Sequence, residues 1–279
     1  MLTRRLMLAG SASLCAQAAW GETNPLAALE AKTGGRLGVA VLDTGSDRKM
    51  AYRAEERFAM CSTFKLLLVA AVMARINANQ EAPERFIPYQ PSDLVVHSPV
   101  TQTHVAEGGM KVGPLWSAAM VESDNTAANL LLNTIGGPPG WTAFARSLGD
   151  PTSRLDRFEP SLNSATPGDE RDTTSPLAML WDMYKLLTGD TLSKGYRFML
   201  SRAMQRSTTG LTRLRAGLPA NWTVGDKTGS GENGTRNDIA IITPPGRPPI
   251  LACVYLTQSK LSDTESDAVI ADIGRLIGS

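Results

Sequence analysis

The sequence contains few of the residues that build metal sites. Histidine occurs twice in 279 residues, at His97 and His104, and neither belongs to a cluster at ligand spacing. Catalytic zinc sites take several ligands from histidine and acidic side chains, so we expect no metal and no metal-dependent hydrolysis. A serine, histidine and acid triad stays open by residue count, although the sequence has no G-x-S-x-G elbow.

The sequence also lacks an excess of charge and a long apolar run. It carries 28 basic and 27 acidic side chains, with no long run of either sign. Surfaces that bind nucleic acid or anionic lipid need clustered basic residues, so we expect neither partner. No segment after the N-terminal region reaches about 18 uninterrupted apolar residues, the length of a spanning helix. We therefore expect a soluble monomer that acts on a small molecule.

The N-terminal residues have the pattern of an export signal. Arg4 and Arg5 precede a short apolar stretch and the A-x-A pattern of residues 16–18. This arrangement is typical of a signal peptide cleaved after Ala18, and it predicts a periplasmic or secreted protein. The segment Thr3–Leu6 suits the twin-arginine route as well as the ordinary secretory route, and both routes stay open.

Cysteine is scarce in the expected mature chain. Cleavage after Ala18 leaves Cys61 and Cys253. An even pair in an exported protein can form a disulfide. Both cysteines lie in apolar runs, however, where free cysteine packs as a small hydrophobic residue. We favour two free cysteines, with the disulfide as the alternative.

Strand patterns at both ends of the chain enclose a helical middle. The predicted strands are 36–42, 50–53, 222–226, 237–243 and 250–258. The predicted helices are 25–32, 63–78, 115–134, 140–147, 175–187, 193–206 and a closing helix that includes 269–277. This order predicts one five-stranded sheet built from both termini, flanked by helices, with a mostly α-helical domain inserted. The fold class is therefore α/β (α+β).

The same order predicts the domain boundaries. We expect a signal peptide at 1–18, an α/β domain formed by 19–60 and 207–279, and a helical domain at 61–206. The helical domain includes a loop rich in proline and glycine at 154–172, which we expect to be a compact omega loop.

A serine and a lysine lie three residues apart at the start of a very apolar segment. Ser62 and Lys65 precede the run LLLVAAVMA. Helical positions i and i+3 share a face, and a buried lysine can lose enough pKa to act as a base. A capping serine with a lysine that extends to solvent is the alternative. A second Ser-x-x-Lys, at 46–49, lies in a predicted polar turn and is expected to be inert.

Two further triplets carry polar groups. Ser123-Asp124-Asn125 lies in a predicted helical stretch, and Lys227-Thr228-Gly229 ends a predicted strand. An ammonium and a hydroxyl beside an exposed strand suit a carboxylate-bearing substrate that lies along a sheet edge. An earlier Lys-Thr-Gly, at 32–34, has the pattern of an ordinary helix C-terminus.

The loop at 154–172 contains a carboxylate with a neighbouring amide. Glu159 and Asn163 are four residues apart, and such a pair can hold and deprotonate one water molecule. Arg157 and Asp172 flank the loop, and we expect them to pair and close it. A plain surface loop with a weak surface ion pair is the alternative.

These four elements, in this order on this fold, resemble the class A serine β-lactamases. The resemblance covers essentially the whole mature chain and implies an antiparallel sheet. It implies a Ser62 nucleophile and a Lys65 proton acceptor, with Glu159 as the alternative acylation base. Ser123 would relay a proton to the departing lactam nitrogen. Glu159, with Asn163, would activate the hydrolytic water, and no cofactor is implied.

The resemblance also implies the substrate-binding residues. Asn125 would bind the substrate's side-chain amide, and the backbone N–H groups of Ser62 and Ser230 would form the oxyanion hole. Other side chains would hold or support the substrate carboxylate. These are Lys227, Thr228, Ser230, Arg236 and Arg213. Some members of the family carry an arginine at the position of Arg236 and others at the position of Arg213, so the presence of both is a departure. The peptide bond into Pro160 is cis in relatives.

Two departures from the family bear on the substrate range. His97 stands where relatives usually carry tyrosine or tryptophan at the cleft mouth, which weakens stacking on the substrate; a solvated surface histidine is the alternative. Cys61 matches a cysteine that carbapenem-hydrolysing relatives bridge to the residue after Ser230. That position is Gly231 here, so carbapenem hydrolysis is not favoured.

Two related activities compete with β-lactam hydrolysis. A D,D-peptidase shares the Ser-x-x-Lys and Lys-Thr-Gly motifs but deacylates antibiotics slowly, and Glu159 with Asn163 argues against it. A β-lactam-sensing receptor domain stays acylated in order to signal, and it needs a membrane span. The expected activity is therefore hydrolysis of penicillins and cephalosporins through a serine acyl-enzyme, conferring antibiotic resistance.

Overall fold

Nine helices are present in the part of the chain that the structure describes. The computed structural model describes residues 24–279, so the predicted signal peptide lies outside it. The helices are α1 (Pro25–Thr33), α2 (Lys65–Asn77), α3 (Val112–Val121), α4 (Asn125–Thr134), α5 (Gly137–Ser147), α6 (Pro176–Leu187), α7 (Lys194–Gln205), α8 (Leu214–Gly217) and α9 (Asp263–Gly278). Short 3-10 turns at Cys61–Phe64 and Ser161–Asn163 matter for the site.

Five strands form the main sheet in the order β2-β1-β9-β8-β7, and every neighbouring pair is antiparallel. They are β1 (Arg36–Asp43), β2 (Lys49–Tyr52), β7 (Thr223–Gly231), β8 (Thr235–Thr243) and β9 (Ile250–Thr257). Two small two-stranded sheets pair β3 (Phe58–Ala59) with β6 (Thr173–Thr174), and β4 (Phe86–Pro88) with β5 (Gly109–Lys111). The predicted five-stranded sheet from both ends of the chain is confirmed.

Each face of the main sheet packs against its own set of helices. Alternate residues of β1 and β9 point to opposite faces. Val39 and Val254 belong to a hydrophobic cluster with α1 and α9, whereas Ala40 and Cys253 belong to the larger cluster of the helical region. A strand buried on both faces reads as a continuous apolar run, as β9 does. The strand β7 forms one edge of the sheet, and this edge faces the helical region.

Helix α2 is the buried helix that its all-round apolar sequence predicts. The positions from Lys65 to Met73 are all buried. Trp141 of α5 is fully buried and donates from Nε1 to the carbonyl of Phe64 at 3.0 Å. The start of α2 is therefore fixed by the surrounding helices, and so is the serine-bearing turn that precedes it.

Most predicted elements shift by one to three residues in the structure, and two differ more. The helix predicted at 115–134 is two helices, α3 and α4, separated at residues 122–124. Ser123 has φ +58°, in the left-handed region, and the Asp124 side chain caps α4 by accepting from Ala127 N at 2.8 Å. Strand β7 continues to Gly231, so Lys-Thr-Gly lies within the strand and not at its end.

The loop at 154–172 is held at its base by the predicted ion pair. Arg157 Nε and Asp172 Oδ2 are 2.5 Å apart. The Asp172 Oδ1 atom also accepts from the backbone N–H of Asp156 and Arg157. Met60 N donates to the Asp172 carbonyl at 2.9 Å, which joins the loop to the turn that carries Ser62. The Glu159–Pro160 peptide bond is cis, as the resemblance implied.

Two observations bear on the remaining expectations about the mature chain. Cys61 and Cys253 are both buried and free, and Cys253 Sγ packs against Met183 Sδ at 3.4 Å. Within residues 24–279, no helix is both long and apolar enough to cross a membrane.

Candidate active site

Ser62 lies in the tight turn that leads into α2, and its side chain is half-buried. Cys61, directly before it, has φ +44°, so the chain bends sharply there. Lys65, three residues later, lies on the same face of the turn and donates from Nζ to Ser62 Oγ at 3.0 Å. Ser62 Oγ in turn donates to Glu159 Oε1 at 3.3 Å. A hydroxyl between an amine and a carboxylate has a proton acceptor on each side.

Lys65 is the centre of the cluster. Its side chain is fully buried, and its Nζ lies 2.6 Å from Asn125 Oδ1, 2.7 Å from the Ser123 carbonyl and 3.0 Å from Glu159 Oε1. Burial lowers the pKa of Lys65 because it disfavours the ammonium ion, and the Glu159 carboxylate opposes this shift. A lysine with a lowered pKa can exchange a proton with the adjacent Ser62. The alternative of a lysine extending to solvent is wrong.

Ser123 joins two buried lysines. Its Oγ accepts from Lys227 Nζ at 3.0 Å and from Lys65 Nζ at 3.3 Å. Burial lowers the pKa of Lys227 to about 7, the nearby Lys65 charge adds to the shift, and Asp226 opposes it. Ser123 lies in the break between α3 and α4, where its φ is left-handed. Its hydroxyl therefore lies between the helical region and β7 and not on the face of a continuous helix.

Glu159 lies beside Ser62, as the resemblance implies, and Asn163 lies beside Glu159. Glu159 is buried, and its Oε2 accepts from Asn163 Nδ2 at 2.5 Å. The Asn163 Oδ1 atom is also buried and has no hydrogen-bond partner among residues 24–279. Ser62 Oγ contacts Glu159 Oε1 directly, at 3.3 Å.

The inner end of β7 collects hydrogen-bonding groups beside Ser62. Thr228 is buried, and Ser230 is exposed at the edge. Arg213 is buried and donates to Ser230 Oγ at 2.7 Å and to the Gly229 carbonyl at 2.9 Å. Asp267 of α9 accepts from Arg213 Nε at 2.9 Å. The guanidinium therefore lies directly behind the hydroxyl of Ser230.

The second arginine has different contacts. Arg236 pairs with Ser230 across the strands, but its guanidinium lies 2.9 Å from Asp263 and 3.0 Å from Asp267. It makes no hydrogen bond to Ser62, Lys65, Ser123 or Glu159 in the described chain. Of the two arginines, Arg213 has the side chain that reaches the β7 edge.

The residues at the cleft mouth connect to the Ser123 turn. His97 is exposed, has φ +63°, and its Nε2 lies 3.1 Å from the Glu122 carbonyl. Its own carbonyl accepts from Asn125 N at 2.9 Å. Asn125 Nδ2 donates to the Val96 carbonyl at 2.8 Å, so both ends of this amide have protein partners.

Sequence reasoning missed Asn129, which fixes the backbone of Glu159. The Asn129 amide accepts from Glu159 N and donates to the Glu159 carbonyl, both at 2.9 Å. These two bonds join α4 to a loop 30 positions away in sequence. Asn129 is one helical turn after Asn125, so it lies on the same face of α4, and that spacing is the signal that could have identified it.

Two more residues that hold the site were missed. Asp124 is fully buried and accepts from Thr101 N at 2.8 Å and from Val100 N at 2.9 Å, which anchors the segment before β5. Asn237 of β8 donates from Nδ2 to the carbonyls of Ala59 and Met60 at 2.9 and 3.1 Å. This amide joins the sheet to the turn that carries Ser62.

The position of the bridging cysteine of relatives is occupied by Gly231. A Cβ atom built on Gly231 would lie 2.6 Å from Cys61 Sγ and 2.5 Å from the Asn163 carbonyl. The chain therefore brings Cys61 and Gly231 together at the site, but glycine has no thiol to pair with Cys61.

The site brings together one nucleophile, two buried lysines and one carboxylate. Ser62, Lys65, Ser123, Glu159 and Lys227 form a continuous hydrogen-bonded chain. A proton can pass along such a chain from the attacking hydroxyl to a leaving group. Groups of three or more residues with the ligand atoms for a metal ion are absent from the described residues 24–279.

Comparisons with known proteins point to one family. The model of the "Beta-lactamase enzyme family" matches residues 23–279. The chain is 46% identical over 271 residues to β-lactamase CTX-M-25 of Escherichia coli, covering 97% of this chain and 92% of the relative. It is 49% identical over 251 residues to β-lactamase AST-1 of Nocardia asteroides, covering 90% and 81%.

Solved structures give the same result. The ancestral Gram-negative (GNCA) class A β-lactamase has a TM-score of 0.89 and 57% identity, covering 91% of this chain and 97% of that one. The putative class A β-lactamase PenP from Rhodopseudomonas palustris has a TM-score of 0.88 and 53% identity, covering 90% and 96%. The protein therefore belongs to the β-lactamase enzyme family and, within it, to the class A enzymes.

Proposed function

We propose that this protein hydrolyses the β-lactam ring of penicillins and cephalosporins through a serine acyl-enzyme and thereby confers antibiotic resistance. The observation that carries the proposal is the position of Ser62 Oγ, 3.0 Å from Lys65 Nζ and 3.3 Å from Glu159 Oε1. A nucleophile within hydrogen-bond reach of a base is the arrangement that covalent catalysis needs. Membership of the class A enzymes supports the same reaction.

Acylation begins with attack of Ser62 Oγ on the lactam carbonyl carbon. The hydroxyl proton leaves to Lys65 or to Glu159, and both are within reach. The lactam C–N bond then breaks, and the departing nitrogen takes a proton from Ser123, which is resupplied from Lys65 at 3.3 Å. The backbone N–H groups of Ser62 and Ser230 stabilise the carbonyl oxygen while it carries negative charge.

Deacylation uses one water molecule and the carboxylate of Glu159. The water oxygen attacks the ester carbonyl, its proton goes to Glu159, and the Ser62 oxygen leaves and regains a proton. Asn163 holds Glu159 through the 2.5 Å hydrogen bond. The unpartnered Asn163 Oδ1 supports this role because a buried amide oxygen can accept a hydrogen bond from water.

The β7 edge binds the substrate carboxylate in this proposal. Lys227, Thr228 and Ser230 contact it, and the buried Arg213 supports it from behind Ser230. Arg236 acts mainly through Asp267, which it shares with Arg213.

The remaining residues of the binding site set the substrate range. Asn125 binds the amide of the substrate side chain, and His97 lies at the cleft mouth. Carbapenem hydrolysis is not favoured, since Gly231 provides no partner for Cys61.

Several further properties belong to the same proposal. The protein acts as a monomer, needs no cofactor, and takes a small-molecule substrate and one water. It is exported to the periplasm or beyond by a signal peptide at residues 1–18. Residues 19–60 and 207–279 form the α/β domain, and residues 61–206 form the helical domain, with the omega loop at 154–172.

Turnover with defined variants tests this function. The mature protein is expected to open many equivalents of a penicillin and a chromogenic cephalosporin, whereas Ser62→Ala is expected to be inactive. Ser46→Ala, in the other Ser-x-x-Lys, is the matched control and is expected to keep full activity because Ser46 bonds Asp43 in a turn. Stoichiometric acylation of the wild type without turnover would favour a D,D-peptidase or a sensor instead.

A further inference from the structure

The segment between α7 and α8 touches the predicted carboxylate pocket. Thr209 Oγ1 lies 2.6 Å from Thr228 Oγ1, and Ser207 Oγ lies 3.3 Å from Thr209 Oγ1. Ser207 and Thr228 are buried, and Thr209 is half-buried. The hydroxyl groups of Ser207, Thr209 and Thr228 therefore form a hydrogen-bonded series that ends at the β7 edge.

The backbone of this segment is held independently of the Thr209 hydroxyl. Thr208 N donates to the Val121 carbonyl at 3.2 Å. A Cβ atom built on Gly210 would lie 2.3 to 2.7 Å from the Asp226 carboxyl group, so the segment packs tightly against β7. Removing the Thr209 hydroxyl therefore leaves the backbone in place.

A threonine hydroxyl has one proton to donate and two lone pairs that accept. For Thr228 to donate its proton to a substrate carboxylate, it must accept from its other neighbour. The 2.6 Å contact makes Thr209 that donor. Thr209 in turn accepts from Ser207. The order of donation is then Ser207 to Thr209 to Thr228 to substrate, and each hydrogen bond polarises the next.

We propose that Thr209 is a positioning residue that turns the Thr228 hydroxyl toward the substrate carboxylate. This inference rests on the proposed function, because it assumes that Thr228 binds that carboxylate. Thr209 acts through Thr228 and does not itself touch the substrate. Its loss lets the Thr228 proton rotate away from the cleft, which weakens recognition of the carboxylate while Ser62 and its bases stay unchanged.

The test compares a penicillin with its carboxylate methyl ester. Thr209→Val replaces the hydroxyl with a methyl group and keeps the shape of the side chain. Thr209→Ala removes the hydroxyl and leaves a smaller side chain. Thr209→Ser keeps a hydroxyl at this position. Thr208→Val is the matched control, since Thr208 Oγ1 bonds Glu122 and not Thr228. For each protein, kcat and KM are measured on both substrates, and thermal midpoints are recorded.

The expected result is a selective loss. In Thr209→Val and Thr209→Ala, kcat/KM for the free acid falls about tenfold, mainly through KM, and for the ester it changes less than about twofold. Thr209→Ser and Thr208→Val stay within about twofold of wild type on both substrates. Equal losses on acid and ester, or no loss on either, would overturn the inference. Failure of the wild type to turn over the free acid would instead overturn the proposed function, and this inference with it.

Discussion

Replacing Asp182 by asparagine is expected to stabilise the protein by an amount that grows with pH. Asp182 lies on α6 and is 1% exposed, and it lines a cleft of about 380 Å³ together with Asp150 and Lys185. Burial raises the pKa of Asp182 to about 9, and the charge of Asp150 and a hydrogen bond to it add to the shift, while Lys185 and Arg146 oppose it. The Oδ2 atoms of both aspartates lack a hydrogen-bond partner among residues 24–279, which fits a proton held on Asp182.

The size of the effect follows from the two pKa values of Asp182. The ordinary pKa is 3.8 and the folded pKa is about 9, so the folded chain keeps a proton that the unfolded chain loses between these limits. The free energy of unfolding therefore falls as pH rises, by about 1.4 kcal/mol per pH unit. Between about pH 5 and about pH 8 this contribution amounts to about 4 kcal/mol. Asparagine does not titrate, and its amide still donates to Asp150.

Urea unfolding of wild type and Asp182→Asn at about pH 5, 6, 7 and 8 measures this directly. The difference in the free energy of unfolding is expected to increase steadily with pH, in favour of the variant. Asp190→Asn, at a fully exposed aspartate, is the control and is expected to differ from wild type by the same small amount at every pH. A constant difference for Asp182→Asn would refute the assigned proton.

Three further predictions concern the site. Because the pKa of Lys227 is lowered to about 7, Lys227 loses its positive charge as pH rises through that value. We therefore expect kcat/KM for carboxylate substrates to fall above about pH 7. Lys227→Arg is expected to remove this fall from the pH profile of kcat/KM. Asn129→Ala leaves two backbone groups of Glu159 without their side-chain partner, which is expected to cost about 2 kcal/mol in urea unfolding and to slow deacylation. Arg157→Ala leaves the buried Asp172 carboxylate without its ion-pair partner, which is expected to lower the free energy of unfolding by about 3 kcal/mol. Urea unfolding measures this loss, with Arg157→Lys as the control that keeps the positive charge.

Local spacing made much of the fold and part of the site predictable. Ser62 and Lys65 share a face because the turn before α2 keeps nearly helical geometry. The apolar run after Lys65 predicts a buried helix for the same reason. The strands at both ends were recognisable from apolar runs and turn residues, and α1 ends at Thr33 with the left-handed Gly34 that its sequence indicates.

Other features depend on contacts between distant segments, which periodicity does not report. The clamp of Asn129 on Glu159 needs the loop and α4 to meet in space. The break between α3 and α4 was missed because the apolar pattern continues across it. Asp124 is a favourable N-cap residue, and this is the local signal that could have marked the break. Whether Arg213 or Arg236 reaches the β7 edge depended on the position of Asp267 on α9.

The central claim is that Glu159 promotes water attack on an ester formed at Ser62. Intact-mass measurement of Glu159→Gln mixed with a penicillin tests it most directly, because the amide cannot accept the water proton. The variant is expected to gain the mass of one intact penicillin, located on the Ser62 peptide, and to keep it for many wild-type turnover times. A variant that clears the adduct as fast as wild type, or an adduct that persists when Ser62 is also replaced by alanine, would contradict the mechanism.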